Sequence, residues 1–299
     1  MNEADFIAAL RGLPLHAGAG DLTDDTARLG DLILTKDLIA EGVHYLPIDP
    51  PGDVAWKLMA VNLSDLAAKG AAPVGALLGY PLGDDEWDHA FLTGLGDAAM
   101  ALGCPLLGGD TIRVDGPRTL SLTAIGRAGP HVPLRRGARP RDRLWVAGIV
   151  GDAALGLSIA RGQAGPDALL NAYRRPIPLL GEGRVLASVA TAMMDVSDGL
   201  LIDADRMATA SGCGVTIDLS ALPRSPAAIA HDGDSRAARL RAATGGDDYA
   251  LLFALPDGVA PPVDARCIGA FGHAPGLHVT DSGTPVGLPE NLGWVHASR

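Results

Sequence analysis

The sequence predicts an α/β (α+β) fold, and three observations carry that prediction. Strand-like and helix-like segments alternate along the chain. The 299 residues suffice for two domains of ordinary size with well-buried cores. A stretch rich in Gly, Pro and Arg from residue 129 to 143 interrupts the alternation. It marks the predicted boundary between an N-terminal domain, 1–138, and a C-terminal domain, 139–299.

Residues 32–35 read as a strand ending at Lys36-Asp37. Pro50-Pro51-Gly52 then breaks the chain, and Asp53 is the predicted N-cap of a helix. Its apolar residues Trp56, Met59, Ala60, Leu63, Leu66 and Ala67 recur at a helical period until Gly70. A strand at 74–78 and a helix from Asp84 or Asp85 to Gly103 follow. Leu106-Leu107 is strand-like and runs into Gly108-Gly109-Asp110-Thr111, with another strand at 120–125. Beyond the boundary come a strand at 144–147 and helices to about Ala160, at 167–174 and at 183–192. A short strand at 193–196 meets Ser197-Asp198-Gly199, which turns into a helix ending near Gly212. Strands at 215–218 and 249–255 complete the pattern.

Apolar residues make up 47% of the chain and charged residues 20%, a globular composition. Aromatics reach only 4%, so the core must be built from Ala, Val, Leu and Ile. The net charge of −11 and the absence of a basic stripe argue against nucleic acid as a partner. Arg135, Arg136, Arg139, Arg141 and Arg143 form the one basic segment, a linker or a phosphate contact. Cys104, Cys213 and Cys267 are far apart and offer no zinc spacing. The first residues lack a signal-peptide pattern, and no apolar run approaches the ~18 residues of a membrane span. A cytoplasmic protein without a membrane partner is expected.

Five aspartate-bearing segments stand out: Asp24-Asp25, Thr35-Lys36-Asp37, Asn62-Leu63-Ser64-Asp65, Gly108-Gly109-Asp110-Thr111 and Asp195-Val196-Ser197-Asp198-Gly199. Several lie at apparent strand ends, where α/β folds commonly bind ligands. Taken singly, such an Asp reads equally well as a turn or cap residue. Asp65 is the exception, because an uncapped Asp is unfavourable inside an amphipathic helix. Gathered aspartates repel one another unless cations compensate, so the set points to Mg²⁺-assisted phosphate chemistry. No P-loop and no protein-kinase signature is present. Gly94-Leu95-Gly96-Asp97-Ala98-Ala99 fits a dinucleotide pattern but falls inside a predicted helix, which removes that reading.

The ordered motifs DDTA, LTKDLIAEGVHY, AWKLMAVNLSDLAAKGA, LLGGDT, RRGARPRD, MMDVSDGL, SGCGVTIDLSALP and TGGDDYALLF resemble the thiamine-monophosphate kinase family. That family belongs to the aminoimidazole ribonucleotide synthetase-like superfamily. The resemblance spans residues 20–255, with an echo in Gly293-Trp294-Val295-His296. It implies a homodimer whose N-terminal domains pair in a shared barrel, with ATP in a cleft between domains. It also implies direct in-line transfer from ATP to thiamine monophosphate, assisted by several Mg²⁺ ions and without a covalent enzyme intermediate. Carried over by motif position, Asp25, Thr35, Asp37, Asp65, Asp110, Asp195 and Asp198 would ligate Mg²⁺. Gly109, Asp110, Arg135 and Ser197 would contact ATP, and His44, Asp247 and Trp294 would contact thiamine monophosphate.

Three residues depart from the family pattern: Thr23 stands where Gly is usual, Lys36 for Thr or Ser, and Ala250 for Glu. Other ATP-using enzymes of the superfamily, or a non-catalytic binding protein, are the alternative readings. Selenophosphate synthetase would call for a reactive Cys near the N-terminus, whereas the first cysteine here is Cys104.

Overall fold

The computed structural model describes residues 3–295; His296 of the C-terminal echo lies outside them. Helix α1 (Glu3–Leu10) and a 3-10 turn (Ala17–Leu22) lead into strands β1 (Ala27–Leu29) and β2 (Leu32–Ala40). Next come α2 (Pro51–Ala68), β3 (Ala72–Leu82), α3 (Asp85–Ala101), β4 (Leu106–Arg113) and β5 (Thr119–Arg127). These strands form one sheet in the order β1-β2-β5-β3-β4, with β3 and β4 parallel and the other pairs antiparallel. Helices α2 and α3 cover one face. Leu58, Leu63, Leu66, Phe91 and Leu95 pack there against Ile33, Ile39, Leu120 and Leu122.

After residues 128–142 the chain forms β6 (Arg143–Ala147), α4 (Asp152–Ala160), α5 (Asp167–Arg174) and α6 (Leu180–Leu186). Then follow β7 (Ala192–Asp195), α7 (Leu200–Ala210), β8 (Gly214–Asp218), α8 (Pro226–Asp232) and α9 (Arg236–Gly245). The last strands are β9 (Leu251–Leu255), β10 (Arg266–Gly272), β11 (Gly276–Asp281) and β12 (Thr284–Val286). Their sheet has the order β12-β11-β8-β10-β6-β9-β7. Its core gathers Leu144, Val146, Leu201, Met207, Val215, Leu252 and Ile268.

Several elements differ from the sequence reading. β2 runs through Lys36 and Asp37 to Ala40, because all nine of its residues pair with β5. Gly108-Gly109-Asp110-Thr111 is likewise strand: β4 pairs there with β3, Gly79 opposite Asp110. A Cβ at Gly109 would come within 2.0 Å of the Leu78 carbonyl oxygen, so only glycine lets the two strands approach so closely. Asp53 is not the N-cap of α2. Pro50 takes that place and Pro51 opens the helix with its φ already set, while Asp53 pairs with Arg175 at 2.5 Å. The helix expected at 183–192 ends at Leu186, and Ala192 already belongs to β7, where pairing with β9 outweighs local propensity. β9 begins at Leu251 because Tyr249, at φ 53°, cannot continue a strand.

Candidate active site

Every residue of α2 from Lys57 to Ala68 is buried, polar ones included. Buried polar groups are unfavourable unless paired, and those of α2 find partners on several elements. The Lys57 ammonium pairs with Asp247 and donates to the His44 carbonyl at 3.0 Å. Asn62 accepts the Asp37 N–H through Oδ1 at 3.0 Å. The Ser64 hydroxyl donates to Asp195 Oδ2 at 2.6 Å, and the Thr35 hydroxyl donates to Asp65. Lys69, just beyond the helix, pairs with Asp24 and donates to the Met193 carbonyl at 3.4 Å. α2 is therefore the beam that ties the first sheet to the second.

Around its Asp65 a cluster of carboxylates forms. Burial pushes Asp65 well above the usual carboxylate range, and the charges of Asp37, Asp195 and Asp25 push it further. Burial likewise raises Asp195 to about 7, with Asp25 adding to the effect and the Ser64 hydroxyl opposing it. Asp37 is raised to about 6 by burial and by Asp25, against the pull of Lys36. Asp25 goes the other way. Burial alone would raise it, but the Arg135 guanidinium, with Lys69 behind it, holds it below its ordinary value. Arg135 pairs with Asp25 and donates its backbone N–H to Asp24 Oδ2 at 3.1 Å.

The second sheet presents two loops beside this cluster. The Ser197-Asp198-Gly199 turn is held by Asp203, fully buried on α7. Asp203 Oδ2 accepts the N–H groups of Ser197, Asp198 and Gly199 at 3.1, 3.1 and 3.3 Å. Arg206 donates to Asp203 at 2.9 Å and to Asp198 at 2.5 Å. The loop Gly246-Asp247-Asp248-Tyr249 lies alongside, with Asp247 donating its N–H to the Ser197 carbonyl at 2.7 Å. Asp247 (φ 67°) and Tyr249 (φ 53°) both adopt left-handed backbone, strain of the kind that concentrates at functional sites. The Tyr249 hydroxyl donates to Asp247 Oδ1 at 2.9 Å. Trp294 donates its N–H to the Asp198 carbonyl at 2.8 Å, and its residue is 52% exposed.

The residues singled out in the sequence thus fall into groups. Asp25, Thr35, Asp37, Asp65, Asp195 and Arg135 share one cluster. Ser197, Asp198 and Trp294 join it through the turn after β7, Asp247 joins through its N–H to the Ser197 carbonyl, and Lys57 ties the His44 carbonyl to Asp247. Gly109 and Asp110 stand apart on β4, every residue of which is exposed. Sequence reasoning missed Lys57, Lys69, Asp203 and Arg206, counter-charges and anchors of the site, and it named Asp24 beside Asp25 without giving it a role. Lys57 carried a legible signal: it lies eight residues before Asp65, hence on the same helix face, in an otherwise apolar stretch.

Hard divalent cations take carboxylate oxygens, and Asp25, Asp37, Asp65 and Asp195 offer them. Asp25 Oδ2 is buried without a hydrogen-bond partner. Among the described residues, no three Asp, Glu, His or Cys side chains converge as a ready-made cage. The donor set therefore fits a cation that brings oxygen ligands with it, as a polyphosphate complex does.

Comparison with known proteins supplies the family. Residues 23–128 match the N-terminal domain, and residues 139–256 the C-terminal domain, of AIR synthase related proteins. The chain is 39% identical to the thiamine-monophosphate kinase of Caulobacter vibrioides over 98% of its own length and 90% of the relative's. The chain belongs to the thiamine-monophosphate kinase family. A second member of this thiamine-monophosphate kinase family, from Escherichia coli K12, is 38% identical over 82% of this chain and 78% of its own. Among solved structures, AaThiL complexed with AMPPCP and TMP superposes with a TM-score of 0.87 at 30% identity, covering 99% of this chain and 97% of that one. Hydrogenase maturation protein HypE in complex with ATP, at 21% identity, 93% and 91% coverage and a TM-score of 0.71, shares the fold alone.

Proposed function

We propose that this protein phosphorylates thiamine monophosphate to thiamine diphosphate by direct in-line transfer from ATP, with Mg²⁺ as the metal. The observation that carries this reading is the buried carboxylate cluster around Asp65, whose mutual repulsion calls for added positive charge, in a chain so similar to thiamine-monophosphate kinases. Asp25, Thr35, Asp37, Asp65, Asp195 and Asp198 are the residues to hold Mg²⁺, and Asp110, which stands apart on β4, is added to them by motif position alone. When bound, Mg²⁺ supplies positive charge to the polyphosphate and to the transferring phosphoryl oxygens.

The chain's own residues bind and align. Arg135 offers a guanidinium to phosphate oxygens, for which its planar fork is well matched. Gly109 and Ser197 contact the nucleotide, with Asp203 keeping the turn of Ser197 in shape. His44, Asp247 and Trp294 hold thiamine monophosphate, and the Trp294 ring offers a stacking surface. The accepting phosphate is already ionised near neutral pH, so no general base is assigned.

This reading also takes the protein to be a cytoplasmic homodimer with domains at 1–138 and 139–299. The open face of the first sheet supports the dimer. Leu38 (52% exposed), Leu77 and Ile112 (58% exposed) line it, and β4 is a wholly exposed edge strand, a combination that invites pairing with a second copy. Among the described residues no helix is long and apolar enough to cross a membrane.

The test is ADP formation from ATP with thiamine monophosphate, with and without Mg²⁺, using aminoimidazole precursors and other phosphorylated alcohols as control acceptors. Product that needs both thiamine monophosphate and the metal supports the reading. Equal ADP release without the acceptor would sink it.

A further inference from the structure

Lys36 stands where the family usually has Thr or Ser, one residue before Asp37. Successive residues of a strand face opposite ways. On β2, Ile33, Thr35 and Ile39 are buried toward α2, whereas Lys36 and Leu38 are exposed on the open face of the sheet. Residues directly opposite each other on paired strands share a face. One row of the open face therefore runs Lys36, Thr123, Leu77, Gly108, and the next runs Leu38, Ser121, Gly79, Asp110. Lys36 and Asp110 are the only charges in these two rows.

The Lys36 ammonium leans into the second row, where it donates to the Ser121 hydroxyl. Asp110 is two strand spacings beyond Ser121, about 9–10 Å, and Gly79 between them has no side chain. Lys36 also acts on the carboxylate cluster: its charge opposes the burial and the Asp25 charge that raise Asp37. A lysine that only kept the open face from pairing belongs on an edge strand, but β2 lies inside the sheet, between β1 and β5.

A Thr or Ser at this position offers a hydroxyl oxygen, a ligand that a hard cation accepts. Lysine offers three N–H donors, no acceptor and a positive charge. The exchange removes one oxygen ligand and installs on the chain itself the charge which that ligand would help to recruit. It also repels a cation at that spot. Ser121 takes one of the three donors and so fixes the ammonium, leaving donors for a phosphate oxygen.

We propose that Lys36 is a nucleotide-binding residue whose ammonium takes the place of one Mg²⁺ at the phosphates, between Asp37 and Asp110. The assignment rests on ATP being the phosphoryl donor and Mg²⁺ the metal. This chain then needs one divalent ion fewer than a chain with a hydroxyl at residue 36, and it holds nucleotide in part without metal.

Lys36→Thr restores the hydroxyl, and Lys36→Met removes the charge without supplying a ligand. Calorimetry would measure binding of AMPPCP, an ATP analogue that cannot transfer its last phosphate, in EDTA and in excess Mg²⁺. Electron paramagnetic resonance of free Mn²⁺ would count the ions bound per chain at saturating AMPPCP. In EDTA both variants should bind AMPPCP about 10-fold more weakly or worse, the loss expected for a hydrogen bond to a charged group. In excess Mg²⁺, Lys36→Thr should recover to within about threefold of the parent, because its hydroxyl admits the missing ion, and Lys36→Met should not. The Mn²⁺ count should rise by one in Lys36→Thr and stay at the parent's number in Lys36→Met. Equal AMPPCP affinity in EDTA for the parent and both variants overturns the proposal, as does an equal Mn²⁺ count in the parent and Lys36→Thr. So does a loss of affinity that appears only where gel filtration shows separated copies, which would give Lys36 to the contact between copies. If the parent binds AMPPCP but ATP transfers no phosphate to thiamine monophosphate, the activity reading fails while the binding comparison still decides Lys36. If the parent binds no AMPPCP even with Mg²⁺, both fall.

Discussion

Replacing Asp203 with alanine tests whether one buried carboxylate holds the Ser197-Asp198-Gly199 turn. The substitution strands three backbone N–H groups that now reach Asp203 Oδ2 at 3.1–3.3 Å, and removes one of the two carboxylates bound by Arg206. A buried donor left without a partner costs about 1–3 kcal/mol. Ser197 is solvent-exposed and regains water, so two stranded donors plus the loosened Arg206 total about 3–5 kcal/mol. At roughly 2–4 °C per kcal/mol for a chain of this size class, the melting midpoint should fall by about 6–20 °C. Asp203→Asn keeps one acceptor oxygen and should lose about half as much. Below the melting range, Asp203→Ala should also lower turnover about a hundredfold, because the turn carries Ser197 and Asp198 and small misplacements are costly. Differential scanning calorimetry and the coupled ADP assay read the two effects. A variant that melts within about 2 °C of the parent at full activity would refute the reasoning. The turn would then be held by Trp294 N–H to Asp198 and Asp247 N–H to Ser197 alone.

Other outcomes follow from the same arrangement. Asp65→Asn should reduce turnover at least ~1000-fold, as expected for loss of charge stabilisation at the reacting phosphate, yet leave the melting midpoint unchanged or higher, because a neutral amide of the same shape replaces a carboxyl whose ionisation burial and its neighbours oppose. Wild-type rates would refute the role of Asp65. Lys57→Met removes the ion-pair partner of Asp247, which is part-exposed and keeps the Tyr249 hydroxyl, and should cost about 1–3 kcal/mol of stability, read by urea unfolding, with a raised KM for thiamine monophosphate. Stability should depend on pH when divalent ions are chelated. Asp37 and Asp195 sit at about 6 and about 7 in the fold, above the ordinary 3.8, so the folded state binds more protons in that interval. Their contribution is fully present below pH 3.8 and is lost as pH rises through 6 and 7. Melting in EDTA should thus occur at lower temperature at pH 8 than at pH 5.5, and a midpoint that rises over this range would count against the cluster.

Much of the fold was legible because its signals are local. The 3.6-residue period of α2, the Asp84 cap that accepts the Trp87 N–H at 3.0 Å, and the limits of α5 all depend on residues close in sequence. Strand lengths were less so. β2 and β4 extend past their apolar cores because neighbouring strands continue to pair with them, and pairing partners are set by the sheet. The strands β10, β11 and β12 went unread for the same reason: β10 and β11 owe their strand state to β6 and β8, and β12 owes its own to β11.

The candidate site divides along the same line. Residue identity and spacing were enough to say which side chains bear the chemistry, since closely spaced aspartates around strand and helix ends are unfavourable without cations. They also placed Asp65 inside a helix, where its charge has no local purpose. Which charges meet was settled by tertiary contacts. Asp25 and Arg135 are 110 residues apart, Ser64 and Asp195 131, Lys57 and Asp247 190. Electrostatic balance in a buried site depends on distance through space and on desolvation, neither of which is encoded in local spacing. Hence the motif aspartates and Arg135 could be read from the chain, while Lys57, Lys69, Asp203 and Arg206 emerged only in the tertiary structure.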